Sequence, residues 1–191
     1  MSAYMHRFGK EVKMMLNVYE RLLTGDKQQK QAYEVIMHLN VLHDLKAYNP
    51  ILCGTFPLGI HTSKSDLDII LHSKDLRCLE QKLKRLYSHH ESFTLKRKYI
   101  RERKVLKVNF IYQSFSFELF AQNQPVNEQY AYLHMIIEEK ILLKYPEWKQ
   151  KVIHFKQSGV NTEVAFCKLL GLEGDPFEAL IQYGKQNHII A

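Results

Sequence analysis

The chain has 191 residues, of which 46% are hydrophobic and 25% are charged. This composition is typical of a soluble globular protein with one ordinary domain, or with a core and a helical appendage. No apolar run approaches the ~20 residues of a membrane helix, and the N-terminal segment lacks the features of a secretory signal. We therefore expect a cytoplasmic protein without a membrane segment. The net charge of +7 is compatible with a polyanionic partner but does not require one.

The N-terminal quarter has the periodicity of two successive helices. Apolar residues recur at helical spacing from Met14 to Leu23, and Gly25 and Asp26 supply a helix end and the cap of the next helix. The second helix is predicted over Lys27–Ala47. It ends before a proline, because the residue that precedes a proline disfavours the helical conformation.

The most informative stretch of the sequence runs from Leu52 to His72. It predicts a short strand, a turn of small residues containing Gly54 and Thr55, and a second strand with Asp66 and Asp68. Alternate side chains of a strand share a face, so the two carboxylates lie side by side. Such carboxylates repel each other unless a cation lies between them.

Oxygen ligands of this kind suit Mg²⁺ or Mn²⁺, and Mg²⁺ commonly binds carboxylates together with substrate phosphates. A glycine allows close approach of a phosphate to backbone N–H groups, and Thr55 adds a hydroxyl donor. The alternative interpretation is a strand at the edge of a sheet with a solvated acidic face.

A helix over Lys74–Tyr87 and a β-hairpin over Phe93–Ile100 and Val105–Tyr112 are predicted next, with a four-residue charged turn from Arg101 to Lys104. The hairpin concentrates positive charge in a basic ribbon. This ribbon could bind a triphosphate or a nucleic-acid backbone, or it could be a solvated edge that resists aggregation. The ribbon consists of Lys96, Arg97, Lys98, Arg101, Arg103 and Lys104.

The alternating pattern from Phe115 to Phe120 predicts another strand. Phe115, Phe117 and Leu119 share one face, and Glu118 lies on the other. Taken by itself, this single acid more often indicates an edge strand whose glutamate meets solvent or a lysine.

The remainder of the chain has helical periodicity from Asn127 onward. We predict two parts: residues 1–124 as a core with N-terminal helices, and residues 125–191 as a helical C-terminal portion packed on it. His134 and Glu138 lie four apart on one helix, where they could stabilise that helix or face a nucleotide.

Several of these motifs resemble those of the nucleotidyltransferase superfamily, which has the DNA polymerase β-like fold. That superfamily carries an apolar residue, Gly-Ser, a gap of roughly ten residues and then Asp-x-Asp or Asp-x-Glu. Cys53-Gly54-Thr55 and Ser65-Asp66-Leu67-Asp68-Ile69 are similar to this pattern, with Thr55 in place of serine. The segments GTFPLGI, SDLDI, FELFAQNQPV and GDPFEAL also resemble a bacterial family of small nucleotidyltransferase-like proteins over most of the chain.

The resemblance implies an α+β protein with a small mixed sheet, packed helices and a helical C-terminal portion. It implies transfer of a nucleotidyl group from an NTP such as ATP, with release of pyrophosphate, to a nucleic-acid, small-molecule or protein acceptor. Asp66, Asp68 and Glu118 would be the catalytic metal ligands for Mg²⁺ or Mn²⁺, and Gly54, Thr55 and Ser65 would contact the nucleotide. The rival interpretation is a protein of the same fold that binds a nucleotide without turnover, or an antitoxin-like interaction protein.

Overall fold

The sheet of this protein is seen in a computed structural model that describes residues 18–191. Five strands form it in the order β1-β2-β5-β4-β3. β5 pairs in parallel with β2 and antiparallel with β4, and β3 and β4 form the predicted hairpin. The predicted fold class, a small mixed sheet with packed helices, is therefore confirmed. The strands are β1 (Ile51–Cys53), β2 (Leu67–His72), β3 (Glu91–Ile100), β4 (Arg103–Tyr112) and β5 (Phe115–Gln122).

Both strands that carry the acidic motif lie inside the sheet. β2 has neighbours on both sides, and so has β5. The edge-strand interpretation of Asp66, Asp68 and Glu118 is therefore wrong, because an interior strand exposes no unpaired backbone to solvent.

The helices follow the predicted order. Residues 18–24 are helical (α1), while the start of that predicted helix at Met14 lies outside the described residues. Within residues 18–191, no helix combines the length and apolar character that crossing a membrane requires. The other helices are α2 (Lys27–Leu39), α3 (Val41–Asp44), α4 (Thr55–Leu58), α5 (Leu76–Tyr87), α6 (Tyr130–Lys144), α7 (Trp148–Gln157), α8 (Thr162–Leu170) and α9 (Pro176–Gln186), with single 3₁₀ turns at Lys46–Tyr48 and Val126–Glu128.

The helix predicted over Lys27–Ala47 is broken after α2. Asn40 adopts the left-handed conformation, with φ of 57°, which ends α2 before the short α3. Asparagine tolerates this conformation better than most residues, and the Asn40 amide also donates a hydrogen bond to Asp44 Oδ1 at 3.2 Å. The apolar periodicity continues through the break, and for that reason the sequence pattern missed it.

The hairpin turn is shorter than predicted. Arg101 and Glu102 alone connect the strands, with φ of 45° and 60°, where a turn of four charged residues was expected. Two consecutive residues with positive φ are typical of a type I′ turn, whose twist matches that of the flanking strands. The long pairing of β3 with β4 overrides the preference of this turn for glycine.

By contacts the chain divides into two compact units. The first contains the described residues up to Leu52 together with Asp66–Asn123. In it α5 begins at the capping residue Asp75 and buries Leu79, Leu83 and Tyr87. The Tyr87 ring stacks on Phe110, with ring centroids 4.9 Å apart.

The second unit contains Cys53–Ser65 and Gln124–Ala191. Its core includes Ile137, Val152 and Phe166 from three helices. His134 and Glu138 are also buried, and His134 Nε2 lies 3.0 Å from the carbonyl oxygen of Phe177. The segment Cys53–Ser65 thus belongs to the same unit as the C-terminal helices. A domain boundary near residue 124 stays a prediction.

Candidate metal centre and phosphate-binding residues

Asp66, Asp68 and Glu118 converge in the first unit. One carboxylate oxygen from each lies within 4.8 Å of the other two, and all three residues are half-buried. Among residues 18–191, this is the only group of three or more histidine, cysteine, aspartate or glutamate side chains that could hold a metal ion.

Strand register explains why these acids meet. β2 and β5 are parallel, and their pairing sets Asp68 opposite Glu118. Asp66 immediately precedes β2 and lies two residues before Asp68, so both aspartates lie on the same side. Leu67, Ile69 and Leu71 take the opposite face and are buried.

The electrostatics of the three acids favour a cation. Burial and the nearby Glu118 carboxylate raise the pKa of Asp66, while Lys107 and a hydrogen bond from Ser116 act in the opposite direction. Charge repulsion of this kind is relieved by a bound cation. The residues present therefore fit Mg²⁺ or Mn²⁺, which prefer oxygen ligands.

Two polar residues of β4 contact the Glu118 carboxylate, and neither was predicted from the sequence as a site residue. Lys107 Nζ lies 2.5 Å from Glu118 Oε2, and the Asn109 side-chain amide donates a hydrogen bond to the same oxygen at 3.3 Å. Their spacing of two residues in a strand with many apolar neighbours was a usable signal, because it puts both on one face.

Gly54, Thr55 and Ser65 belong to the second unit. Gly54 has φ of 74° and ψ of −149°, a conformation that a residue with a Cβ rarely adopts. Thr55 is buried and begins α4, the single helical turn found where a loop was predicted. Its hydroxyl donates to Ser65 Oγ at 3.2 Å.

Ser65 Oγ is the centre of a cluster of donors. Besides Thr55, it receives the backbone N–H of Thr62 at 3.0 Å and the Lys156 ammonium at 3.2 Å. A hydroxyl has one donor hydrogen and two acceptor lone pairs, so Ser65 can satisfy all three of these contacts. Hydroxyl, backbone N–H and ammonium groups are also the donors that suit phosphate oxygens. Lys156 had no sequence signal, because it lies 91 residues from Ser65 in the chain.

The basic ribbon is divided between the two faces of the sheet. Pairing across β3, β4 and β5 puts Lys96 and Lys98 on the face that carries Glu118. Arg97 lies on the other face, where its Nε is 2.6 Å from Glu80 Oε2. Only part of the ribbon is therefore on the side of the acids.

Similar solved structures include those of the Cid1 poly(U) polymerase. A mutant of the Cid1 poly(U) polymerase bound to MgATP matches at 15% identity and a TM-score of 0.52, covering 75% of this chain and 47% of that one. A second Cid1 structure, described as an RNA terminal uridylyl transferase, matches at 14% identity and a TM-score of 0.50, covering 76% and 46%. The chain thus spans about half the length of these proteins, and shares the fold of nucleotidyltransferases with them.

The amino-acid sequence also matches a known protein family. A search of functionally curated proteins gave no match. The profile of DUF4269, a domain of unknown function, matches residues 34–183, which include β1 to β5 and helices α3 to α8. The bacterial origin that the resemblance implied stays a prediction. Since the matched region covers most of its length, the chain belongs to the DUF4269 family.

Proposed function

We propose that this protein is a metal-dependent nucleotidyltransferase that transfers a nucleotidyl group from an NTP to an acceptor. The convergence of Asp66, Asp68 and Glu118 within 4.8 Å carries this proposal. Three carboxylates this close repel each other in the absence of a cation, which is a cost without benefit in a purely structural protein. The shared fold of the Cid1 polymerases supports the same conclusion.

In this proposal Asp66 and Asp68 hold Mg²⁺ or Mn²⁺, and Glu118 is the third acid. The bound ion would neutralise charge that develops on the phosphates in the transition state. The acceptor oxygen forms a bond to the α-phosphorus, and the bond from that phosphorus to the β-phosphate oxygen breaks. Pyrophosphate leaves, and Glu118 accepts the proton of the acceptor hydroxyl as general base.

The donor cluster around Ser65 supports the binding of the NTP phosphates in this proposal. Gly54, Thr55 and Ser65 are assigned as nucleotide contacts, and Lys156 joins them because its ammonium already contacts the Ser65 hydroxyl. Phosphate oxygens accept hydrogen bonds from hydroxyl, ammonium and backbone donors alike. The acceptor can be a nucleic acid, a small molecule or a protein.

The direct test is to incubate the protein with each α-labelled NTP, Mg²⁺ or Mn²⁺, and a cell extract, and to follow where the label goes. We expect label transfer by wild type and a loss of at least ~100-fold in Asp68→Asn, because the amide keeps the shape but not the charge of a metal ligand.

The matched control is Glu173→Gln, an exposed acid in the second unit whose neutralisation should leave transfer unchanged. Equal turnover by wild type and Asp68→Asn would contradict the catalytic assignment. Binding of an NTP without any labelled product would favour the rival function of a nucleotide-binding protein.

A further inference from the structure

The side chain of Lys107 is the most unusual feature beside the three acids. Lys107 and Asn109 lie on the same face of β4, and pairing with β5 sets Asn109 opposite Glu118. Both reach one oxygen of the Glu118 carboxylate, Oε2, at 2.5 Å and 3.3 Å. Neither of these contacts involves Oε1, so one oxygen of the carboxylate is held by protein donors and the other is left for a cation.

The cation of this ion pair is less exposed than that of the pair between Arg97 and Glu80. On the opposite face, the Arg97 side chain is 66% exposed, although that of Glu80 is only 10% exposed. The Lys107 side chain is only 29% exposed, and that of Glu118 is 20% exposed. Lys107 thus contacts a partly desolvated carboxylate that is itself one of three candidate metal ligands.

The position of the Lys107 ammonium limits where a second cation could bind. Its Nζ is 2.5 Å from Glu118 Oε2, so it takes the place beside this oxygen that a second ion would need. In two-metal sites the ions lie about 3.5–4 Å apart, so a second ion near Glu118 Oε2 would have to displace the ammonium.

We propose that the acidic site holds a single divalent cation and that the Lys107 ammonium takes the position of a second one at Glu118. This inference rests on the proposed function, since it concerns the metal that nucleotidyl transfer requires. Lys107 is then a positioning residue: it holds the third acid and supplies a fixed positive charge.

Counting bound Mn²⁺ by electron paramagnetic resonance tests this. The protein is titrated with Mn²⁺ at saturating concentration of a non-hydrolysable ATP analogue, and free Mn²⁺ is measured. We expect one bound Mn²⁺ per wild-type chain and two per chain in Lys107→Met, which removes the charge but keeps much of the side-chain length. Lys107→Arg keeps the charge and should bind one.

Lys30→Met is the control. Lys30 is an exposed lysine of α2 in the first unit and does not belong to the basic ribbon. Its loss changes the net charge equally, so the count should remain one. Two Mn²⁺ ions in wild type, or one in Lys107→Met, would overturn the inference and leave the proposed function intact. If Lys107→Met does not fold, the wild-type count still decides between one ion and two. Failure of wild type to bind any Mn²⁺ would instead overturn the proposed function itself.

Discussion

Glu138 is the most deeply buried acid among the described residues for which a pKa shift is resolved. Its side chain on α6 is almost inaccessible, at 3% exposure. Burial raises its pKa well above the ordinary value, and the nearby Glu163 carboxylate adds to the rise, while Lys156 opposes it. Because Lys156 also contacts Ser65, a residue in the middle of a helical core is linked to the proposed phosphate-binding cluster.

We therefore predict that Glu138→Gln stabilises the protein at neutral and alkaline pH. A raised pKa in the folded state means that deprotonation disfavours folding, so wild-type stability falls as the pH rises from the ordinary glutamate value through the raised one. Melting temperatures should be similar near pH 4, and the variant should melt about 2–5 °C higher above the raised pKa. Melts from pH 4 to 9 measure this, with Glu173→Gln as the exposed control. A constant difference at every pH would contradict the prediction.

At the scale of elements, the hairpin of β3 and β4 has different basic residues on its two faces. Arg97 fastens β3 to α5 through Glu80, whose carboxylate also binds Lys84 at 2.8 Å. These contacts lower the pKa of Glu80. Lys96 and Lys98 are exposed on the face of the acids. The ribbon predicted from sequence is therefore structural at Arg97, while Lys96 and Lys98 remain candidates for binding a polyanion.

We predict that Lys96→Glu combined with Lys98→Glu weakens binding of a labelled single-stranded oligonucleotide about 10-fold or more at low salt. Removing two phosphate contacts should also reduce the slope of log affinity against log salt by about 2. Arg97 stays unchanged because its loss would break the pair with Glu80. Fluorescence anisotropy at several salt concentrations measures both effects.

The control for this prediction reverses the same number of charges elsewhere. Lys149→Glu combined with Lys151→Glu alters two exposed lysines of α7 and should affect binding much less. Equal effects of the two double variants would mean that net charge alone attracts the oligonucleotide and that the ribbon is a solvated hairpin.

For the whole molecule, metal binding and stability should be coupled through the acids. Burial and the nearby Glu118 carboxylate destabilise the ionised form of Asp66 and raise its pKa. A ligand that binds only the folded state stabilises it in proportion to its affinity and concentration. The same residue thus destabilises the metal-free protein and stabilises the loaded one.

We predict that Asp66→Asn raises the melting temperature in EDTA by about 1–3 °C and abolishes the stabilisation that Mn²⁺ with an NTP gives to wild type. Thermal melts of both proteins in EDTA, and in Mn²⁺ with NTP, measure the two effects. Parallel curves that do not respond to ligand would refute a convergent site of three acids.

The sequence alone determined whatever depends on neighbours in the chain. Helical periodicity predicted α5 and the helical character of the C-terminal portion. Alternation in the strands predicted the faces of β2 and β5, and with them the side on which Asp68 and Glu118 lie. These patterns are reliable because buried residues recur about every 3.6 positions along a helix and at every second position along a strand.

The tertiary structure decided everything that depends on residues distant in the chain. The parallel register of β2 and β5 brought Glu118 to Asp68, which local periodicity cannot specify because it sets faces but not partners. Packing brought Lys156 to Ser65, and the pairing of β4 with β5 brought Lys107 to Glu118. Long-range pairing also overrode local preference in the Arg101–Glu102 turn. The acids could be read from the sequence, and so could the shared face of Lys107 and Asn109. The partners of Lys107 and Lys156 could not, because a long, flexible side chain leaves no periodic signal of the group that it will contact.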